Sequence, residues 1–355
     1  NKFKKGVDSC NFMNCFIIIL TSKKFQITNM KKSNCFWEPC ISFFQILGFL
    51  LLTCSLQAQI EVSAGDVDPW NPTNLIENVF LGDGVEVSDI TYNGDDASVG
   101  YFQNGLNDLG LERGIVMSSG HAIGALGPNS SGSNSQGPVT SNATCPELGQ
   151  LTTSNLNDVA TYSITFVPVS DTLRFRYVFA SEEYPEWACS GFNDVFGFFI
   201  SGPNPNGGNY SVENIALIPD PADPLGTTFT NNPVTINNVN GNGLDPGSGC
   251  NFDYGIYYND NAGSTTLQYD AYLDVFIAQA IVIPCETYTI KLAIADAGDN
   301  AFDTAVFLEA KSFGTGKLEV TASAVSLDGT LVEGCADGEL CFEIPNEAES
   351  DIFLD

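Results

Sequence analysis

The chain contains 355 residues, of which 43 are acidic and 13 are basic, so its formal net charge is −30 at pH 7. Without residues 1 to 58, the balance becomes 6 basic against 41 acidic residues, a formal charge of −35. A surface this acidic repels phosphate backbones and anionic membranes, which excludes nucleic acid as a partner and favours divalent cations as ligands. The alternative is that the acidity only keeps an exported protein soluble.

The N-terminal region has the parts of a secretory signal. Met30-Lys-Lys gives a positively charged start, residues 41 to 56 are mostly apolar, and Leu56-Gln-Ala58 offers a small residue for cleavage. The apolar stretch is too short and too interrupted for a membrane span, which takes about 20 apolar residues. We therefore expect residues 1 to 29 to be upstream sequence outside the native protein and residues 30 to 58 to be a signal peptide. The mature chain then begins at Gln59. Lipid attachment at Cys54 is an alternative, although Thr53 suits that cleavage poorly.

The segment from residue 59 to residue 313 is predicted to be an all-β domain with one short helix near its N-terminus. Around Asn71 to Gly82, a polar start, apolar residues at positions 75, 76, 79 and 80 and a final glycine indicate that helix. Apolar side chains then alternate with polar ones in Ala160–Phe166, Leu173–Phe179 and Tyr288–Ile294. This alternation is typical of antiparallel strands with one face in water.

Long polar tracts separate the predicted strands. Gly127–Gly137 and Asn237–Gly247 are rich in glycine, asparagine, serine and proline, which favour turns and surface loops. Many short strands joined by such loops predict a large antiparallel β-sandwich with jelly-roll-like connections.

The pattern changes after Phe313. Leu318–Ala324 alternates like a new strand, and Val332–Ile344 has the pattern of a hairpin. Residues 317 to 355 are too few to bury a core of their own. We expect them to be the start of a second, immunoglobulin-like β module that continues beyond residue 355, with an anchoring region further along the chain.

The cysteines indicate disulfides. In exported proteins cysteine usually forms disulfide bonds, and six cysteines follow the predicted leader. The disulfide candidates, whose pairing the sequence does not fix, are Cys145, Cys189, Cys250, Cys285, Cys335 and Cys341. Zinc is the alternative for clustered cysteines, but the sequence has no Cys-x-x-Cys, and His121 is its one histidine.

Two acidic segments are candidate metal sites, and the first follows the predicted strand at Tyr288–Ile294. Asp296, Asp299 and Asp303 carry carboxylates at short spacing in a glycine-containing loop, and Glu309 lies on the next predicted strand. Oxygen ligands of this kind suit Ca²⁺, which accepts about six to eight oxygens in a flexible geometry. The alternative is a turn in which Asp and Asn side chains cap backbone groups.

The second acidic segment lies between residues 182 and 194. It contains Glu182, Glu183, Glu186, Asn193 and Asp194. If the preceding strand continues through Glu183, the two adjacent glutamates point to opposite faces, so only one of them can join Asp194. We take Glu183 and Asp194 as the metal ligands of this segment. The alternative is structural: a glutamate here pairs with Arg174 or Arg176, or accepts amide hydrogen bonds.

Several long segments resemble one known family. They are Phe179–Ile200, Pro284–Ala310, Gly114–Gly120, Phe196–Pro205 and Asn214–Pro219. In these segments the chain resembles the choice-of-anchor L domain of secreted and surface proteins of bacteria, especially of the Bacteroidetes type. The resemblance covers about residues 74 to 313. It implies a secreted or cell-surface protein whose C-terminal anchor varies, and it implies no reaction.

Three functions are compatible with these patterns. We expect a non-enzymatic protein, secreted or on the outer cell surface, that serves adhesion or surface assembly through an extracellular protein or glycan, with Ca²⁺ as its candidate cofactor. The second hypothesis is a carbohydrate-binding module in which Trp187, Tyr184 and Tyr258 contact the sugar. The third is an exported hydrolase, which needs two carboxylates about 5 to 10 Å apart across a cleft, with Glu183 as the first residue to test.

Overall fold

The structure is a computed structural model that describes residues 59–223, 228–241, 254–315, 319–324 and 338–343. These residues belong to one unit of the chain, Ala58–Asp355. The predicted upstream segment and signal peptide, residues 1 to 58, lie outside the described residues, as do Cys250 and Cys335.

Strands are the main regular structure and contain 44% of the described residues. In chain order they are β1 (Glu61–Ala64), β2 (Val85–Asn93), β3 (Val99–Gln103), β4 (Arg113–Ser118), β5 (Leu156–Pro168), β6 (Thr172–Ser181), β7 (Val195–Pro203), β8 (Asn209–Asn214), β9 (Leu217–Pro219), β10 (Phe229–Pro233), β11 (Tyr258–Asp260), β12 (Ala271–Leu273), β13 (Phe276–Ile281), β14 (Tyr288–Ala297), β15 (Thr304–Glu309), β16 (Gly314–Thr315), β17 (Glu319–Ala324) and β18 (Gly338–Glu343). The helical segments are short. They are the N-terminal helix, formed by Pro72–Asn74 and a π-helical continuation over Leu75–Phe80, an α-helix at Leu106–Leu109, and 3₁₀ turns at Asp96–Ser98, Ala122–Ala125, Leu148–Gln150 and Gly255–Tyr257.

The strands form two main sheets in which the pairings are antiparallel. The first sheet has nine strands in the order β1-β3-β4-β15-β6-β12-β11, and β13 and β16 also pair with β6. The second sheet has five strands in the order β2-β5-β14-β7-β8. Separate two-stranded ladders join β9 to β10 and β17 to β18.

Aromatic side chains hold the two main sheets face to face. On β6, Phe175 and Phe179 are buried on one face, as their alternation predicts. The ring of Phe175 lies 5.0 Å from that of Phe198 on β7, and the ring of Phe179 lies 4.9 Å from that of Phe196. Because β6 belongs to the first sheet and β7 to the second, these rings form the core of a sandwich. The prediction of an all-β sandwich is confirmed.

The outer faces of the two sheets are more buried than the alternation predicts. Val178 and Ala180 of β6 point away from the sandwich core, yet they are buried in a second cluster with Phe307. On the second sheet, Ala295 of β14 is covered by Leu148 in a third cluster. Segments between the strands therefore form a further layer over part of each sheet.

The predicted N-terminal helix is confirmed, and its first turn is capped. Asn74 N donates to Asn71 Oδ1 at 3.0 Å, and Pro72 occupies a first-turn position where no intrahelical amide donor is needed. Four apolar side chains of the helix are buried in the main core: Leu75, Ile76, Val79 and Phe80. The helix is thus anchored by its apolar face.

The last segment of the sandwich domain, residues 313 to 315, is hydrogen-bonded to the segment that follows this helix. Gly82 N donates to Phe313 O at 2.8 Å, and Thr315 N donates to Asp83 O at 3.1 Å. On the other side, β16 pairs with the start of β6. The Phe313 ring lies 5.2 Å from the Phe80 ring of the helix. The chain therefore leaves the sandwich held by hydrogen bonds on two sides.

Two strands are described beyond Thr315. β17 and β18 pair antiparallel from Glu319 with Glu343 to Ala324 with Gly338. The predicted strand at Leu318–Ala324 is therefore present, and its partner lies in the second half of the predicted hairpin. The assignment of residues 317 to 355 to an immunoglobulin-like module stays a prediction.

The cysteines behave differently from one another. Cys189 is disulfide-bonded, but Cys145 and Cys285 have free thiols. Cys145 is buried in an apolar cluster, where its thiol donates to Glu147 at 3.2 Å and burial raises its pKa to about 11. Cys285 is exposed in the turn between β13 and β14. The disulfide prediction is wrong for these two residues, because one thiol is packed as an apolar group and the other faces solvent.

Replacing Phe198 with alanine should lower the free energy of unfolding by about 3–5 kcal/mol, the usual cost of a buried ring. The reason is that its ring contacts Phe175 and Tyr177 of the opposite sheet, each at 5.0 Å. Urea unfolding measures the change. Val169→Ala is the control, because Val169 is 58% exposed. A Phe198→Ala variant as stable as the control would contradict this account of the core.

Candidate functional site

Both acidic segments connect one sheet to the other at the same end of the sandwich. β6 ends at Ser181 in the nine-stranded sheet, and the chain continues as β7 in the five-stranded sheet. β14 ends at Ala297 in the five-stranded sheet, and β15 begins at Thr304 in the nine-stranded sheet. Because Ser181 pairs with Thr304, and β7 pairs with the end of β14, the two crossings lie side by side.

Six buried carboxylates collect at these crossings, and we call them the acidic rim: Glu182, Glu183, Asp194, Asp296, Asp303 and Asp270, which precedes β12. The most exposed of them, Asp270, has only 7% of its surface accessible. Two ion pairs between described residues, Arg176–Glu309 and Lys291–Glu147, involve none of the rim carboxylates. The rim therefore concentrates acidic groups inside the protein.

Asp194 is held by donors from the other crossing. Ala297 N donates to Asp194 Oδ1 at 2.9 Å, and the Thr304 hydroxyl donates to Oδ2 at 2.6 Å. Thr304 in turn lies 2.9 Å from the Ser181 hydroxyl, which accepts from Glu183 N at 2.9 Å. Burial, and then the charge of Glu183, raises the pKa of Asp194. A chain of hydroxyls thus fixes this carboxylate in place.

Asp296 is fully buried and lies against Asp194 and Ser119. Although the Ser119 hydroxyl and Asp194 are close to it, neither of its carboxylate oxygens has a partner at hydrogen-bond distance and angle among the described residues. Burial, and then the charge of Asp194, raises the pKa of Asp296. Nearly all buried polar groups in proteins are hydrogen-bonded, because an unpaired one loses its hydration without compensation. Asp296 is therefore an exception that needs a physical explanation.

The two adjacent glutamates have different surroundings. Glu183 is 1% exposed, and its Oε2 has no partner among the described residues. Burial, followed by the charges of Asp299 and Asp296, raises the pKa of Glu183 to about 9. Glu182 instead accepts from Asn134 N at 3.2 Å and from Gln268 Nε2 at 3.1 Å. Glu183 lies near Asp194 and Asp296, whereas Glu182 lies near Asp270 and Asp303 and takes the amide-bonded structural role.

The other half of the rim consists of Glu182, Asp303 and Asp270, whose carboxylates accept hydrogen bonds from amide groups. Gln136 N donates to Asp303 Oδ2 at 2.6 Å, and Asn129 Nδ2 donates to Asp270 Oδ1 at 2.8 Å. Burial raises the pKa of Asp303 to about 7 and that of Asp270 to about 6. A Cβ on Gly120 would lie 1.9 Å from Asp303 Oδ2, so the carboxylate needs a glycine beside it. The tract predicted as a surface loop at Gly127–Gly137 thus lies against the rim.

The metal ligands predicted from the sequence are only partly together. The structure groups Glu183, Asp194 and Asp296, whereas Asp303 belongs to the amide-bonded half. Asp299 is exposed, and its Oδ1 accepts from the backbone of its own loop at 3.3 Å. Within the described ranges, no three His, Cys, Asp or Glu side chains are arranged as a ready metal site.

Sequence reasoning missed the polar side chains that hold the rim. Ser181 and Thr304 supply hydroxyls at strand ends, and Gln268 supplies an amide from a segment without an acidic motif. Such isolated residues carry no local signal. They matter only because strand pairing brings them to the carboxylates.

The three aromatic residues predicted to contact a ligand differ in exposure. Tyr184 is fully buried, and its hydroxyl donates to Val239 O at 2.5 Å. The prediction that Tyr184 contacts a ligand is wrong, because its ring belongs to the core. Tyr258 is half-buried against Tyr184, with ring centres 5.2 Å apart. Trp187 is 37% exposed, so it remains available at the surface.

An open polar cleft of about 330 Å³ lies beside the loop that carries Trp187. Its lining is rich in hydroxyl and amide groups: Gln150, Thr152, Thr153, Ser154, Ser190, Asn193 and Asn237. The Trp187 ring packs edge-on against Phe192 at 5.2 Å, and the neighbours of Phe192 line the cleft. A cleft lined by hydroxyls and amides, with a partly exposed tryptophan on the same loop, is suited to binding a polar ligand.

The carboxylates of the rim are poorly placed for catalysis. A general acid or base must come within hydrogen-bond reach of its substrate, and Glu183 is 1% exposed. The ring of His121 lies 3.2 Å from Pro138 O, a backbone contact. Among the described residues, the rim offers no carboxylate pair that is open to a substrate.

Comparison with known proteins gives one family. The family model of the choice-of-anchor L domain matches residues 62–314, most of the chain. This family consists of surface-associated modules rather than a known class of enzymes, and it implies a secreted or cell-surface protein. No curated protein and no solved structure matches the chain. In the described part of the chain, no helix has the length and apolar character needed to cross a bilayer.

With divalent cations chelated, the melting temperature should fall as the pH rises from about 5 to about 8. The folded-state pKa values of Asp270, Asp303 and Glu182 are raised to about 6, 7 and 8. The folded protein therefore keeps protons that the unfolded chain has released. Stability from these groups is complete below their unfolded pKa values and is lost as the pH rises through the folded values. Calorimetry in EDTA across this range measures the fall.

Two variants separate this effect from general charge repulsion. Asp303→Asn should flatten the pH dependence, because the amide does not titrate, whereas Glu77→Gln on the exposed side of the N-terminal helix should leave the slope unchanged. A change of 1 kcal/mol corresponds to about 2–4 °C in a domain of this size, so the difference is measurable. Equal slopes in both variants would refute the assignment to Asp303.

Proposed function

Since the chain belongs to the choice-of-anchor L domain family, we propose that it is a non-catalytic module that serves adhesion or assembly at the cell surface. The observation that carries this proposal is a contrast at one end of the sandwich. The rim carboxylates are buried, whereas the polar cleft and Trp187 face solvent. Such a surface can bind a partner, but it presents no accessible acid and base for a reaction.

The architecture suits a binding role. The aromatic core makes the two sheets a rigid scaffold, and binding residues in proteins concentrate on loops that such scaffolds position. Here the loops that cross between the sheets carry both Trp187 and part of the cleft. The partner is an extracellular protein or glycan, because the net charge of −30 disfavours nucleic acid and anionic lipid.

Particles that display the full chain should adhere to mucin-coated surfaces or aggregate with one another. Trp187→Ala should weaken this adhesion roughly 30-fold, since truncating an aromatic anchor at an interface costs about 2 kcal/mol or more. Val169→Ala is the matched control, because Val169 precedes β6 and therefore lies at the opposite end of the sandwich. Flow adhesion assays and light scattering measure both properties. Absence of adhesion and aggregation, or equal loss in both variants, would count against the proposal.

The cleft supports a second candidate, in which the partner is specifically a glycan. Its hydroxyl and amide lining matches the hydrogen-bonding groups of sugars, and the partly exposed Trp187 lies on the loop that contributes Ser190 and Asn193 to the lining.

On a glycan array, the full chain should then bind a defined group of glycans, and Trp187→Ala and Gln150→Ala should both abolish the signal. Gln150 is chosen because it lines the cleft and lies on the surface. Val169→Ala should bind normally. If no glycan binds while adhesion to protein-coated particles persists, the glycan candidate fails and the adhesion proposal stands.

A further inference from the structure

The acidic rim contains buried carboxylate oxygens that have no hydrogen-bond partner among the described residues. Asp296 has no exposed surface, and neither of its carboxylate oxygens has a partner among the described residues. Asp194 lies against it with both oxygens held by donors, and Glu183 adds another unpartnered oxygen, Oε2. Three carboxylates are therefore neighbours, and only Asp194 has a donor at hydrogen-bond geometry for each of its oxygens. A buried charge in this situation requires a counter-charge or a proton.

We propose that Asp194, Asp296 and Glu183 bind one Ca²⁺ ion between the two sheet crossings. Asp194 and Asp296 already lie together, and the hydroxyl of Ser119 lies beside Asp296. Among the described residues, the three carboxylates are not arranged as a metal site. In this proposal the Glu183 side chain rotates toward the aspartates when the ion binds, so that its unpartnered oxygen becomes a ligand of the ion.

The donor set selects the ion. Every group at the site is an oxygen, either carboxylate or hydroxyl, which suits hard cations and not zinc or copper. Mg²⁺ requires a near-octahedral shell and sheds its water reluctantly, whereas Ca²⁺ accepts about six to eight oxygens in irregular geometry. Two buried aspartates, a buried glutamate and a serine hydroxyl form an irregular set, so Ca²⁺ fits best.

The ion would connect the two layers of the sandwich. Asp194 and Asp296 lie at the ends of β7 and β14 in the five-stranded sheet, whereas Glu183 follows β6 of the nine-stranded sheet. Glu183 also begins the loop that contains Trp187. Calcium thus fixes this loop as well as the sheets. The inference concerns the ion alone and stands whether or not the chain acts in adhesion.

The experiment is thermal unfolding of the full chain at pH 8 and physiological salt, in EDTA, in CaCl₂ and in MgCl₂. An ion that binds only the folded state raises the melting temperature, by roughly 5–10 °C at a Ca²⁺ concentration 100-fold above Kd. We expect Ca²⁺ to produce this rise and Mg²⁺ to produce a smaller one. Isothermal titration calorimetry should give one saturable Ca²⁺ site for each chain.

Two isosteric variants test the location. Asp296→Asn should lose both the calorimetric site and the Ca²⁺-dependent rise, and in EDTA it should melt at or above the wild-type temperature, because the amide carries no buried charge. Asp299→Asn, which removes an exposed carboxylate from the same loop, should keep the site and most of the rise. Glu183→Gln provides a second test of the site if Asp296→Asn folds poorly.

Three results would overturn the proposal. The first is a wild-type melting temperature that Ca²⁺ does not change, and the second is a full Ca²⁺ response in Asp296→Asn. The third is loss of the response in Asp299→Asn with retention in Glu183→Gln, which would place the ion in the exposed loop. None of these results bears on adhesion, which the displayed particles test separately.

Discussion

Phe175 and Phe179 of β6 pack against Phe198 and Phe196 of β7, and these ring contacts set the separation of the two sheets. β6 and β7, which carry these rings, belong to different sheets, so the chain crosses from one sheet to the other between them. Both acidic segments are such crossings, placed side by side because β6 pairs with β15 and β7 pairs with β14. The location of the rim thus follows from strand pairing within two packed sheets, and the carboxylates add charge at that place.

The two halves of the rim differ in how their buried charge is compensated. Asp303 and Asp270 receive amide hydrogen bonds from the polar tract that folds over them. Asp296 receives none from the described residues, although it is equally buried. Hydrogen-bond donors thus compensate the desolvation of Asp303 and Asp270 but not that of Asp296. The donors to Asp303 and Asp270 come from the protein itself, whereas the charge of Asp296 requires a proton or a bound cation.

The strands and the helix could be predicted from local sequence patterns, because the alternation at Leu173–Phe179 and the cap at Asn71 are short-range features. The grouping of Glu183 with Asp296 depends on strand pairing between distant segments, which no single stretch of sequence contains. Tyr184 was misjudged for a related reason: a tyrosine in an acidic loop suggests exposure, but the loop folds inward to reach Val239. The composition argument for disulfides likewise cannot distinguish a packed thiol from a bonded one.

The attachment of Phe313–Thr315 has a mechanical consequence. Tension that enters the sandwich from residues beyond Thr315 meets hydrogen bonds to β6 on one side and to Gly82 and Asp83 on the other, with the Phe313 ring embedded behind them. These bonds share the load, and the ring must be extracted before the force reaches the aromatic contacts between the sheets. A pull from that direction would therefore be resisted at the exit of the chain while the crossing loops at the far end of β6 stay undistorted.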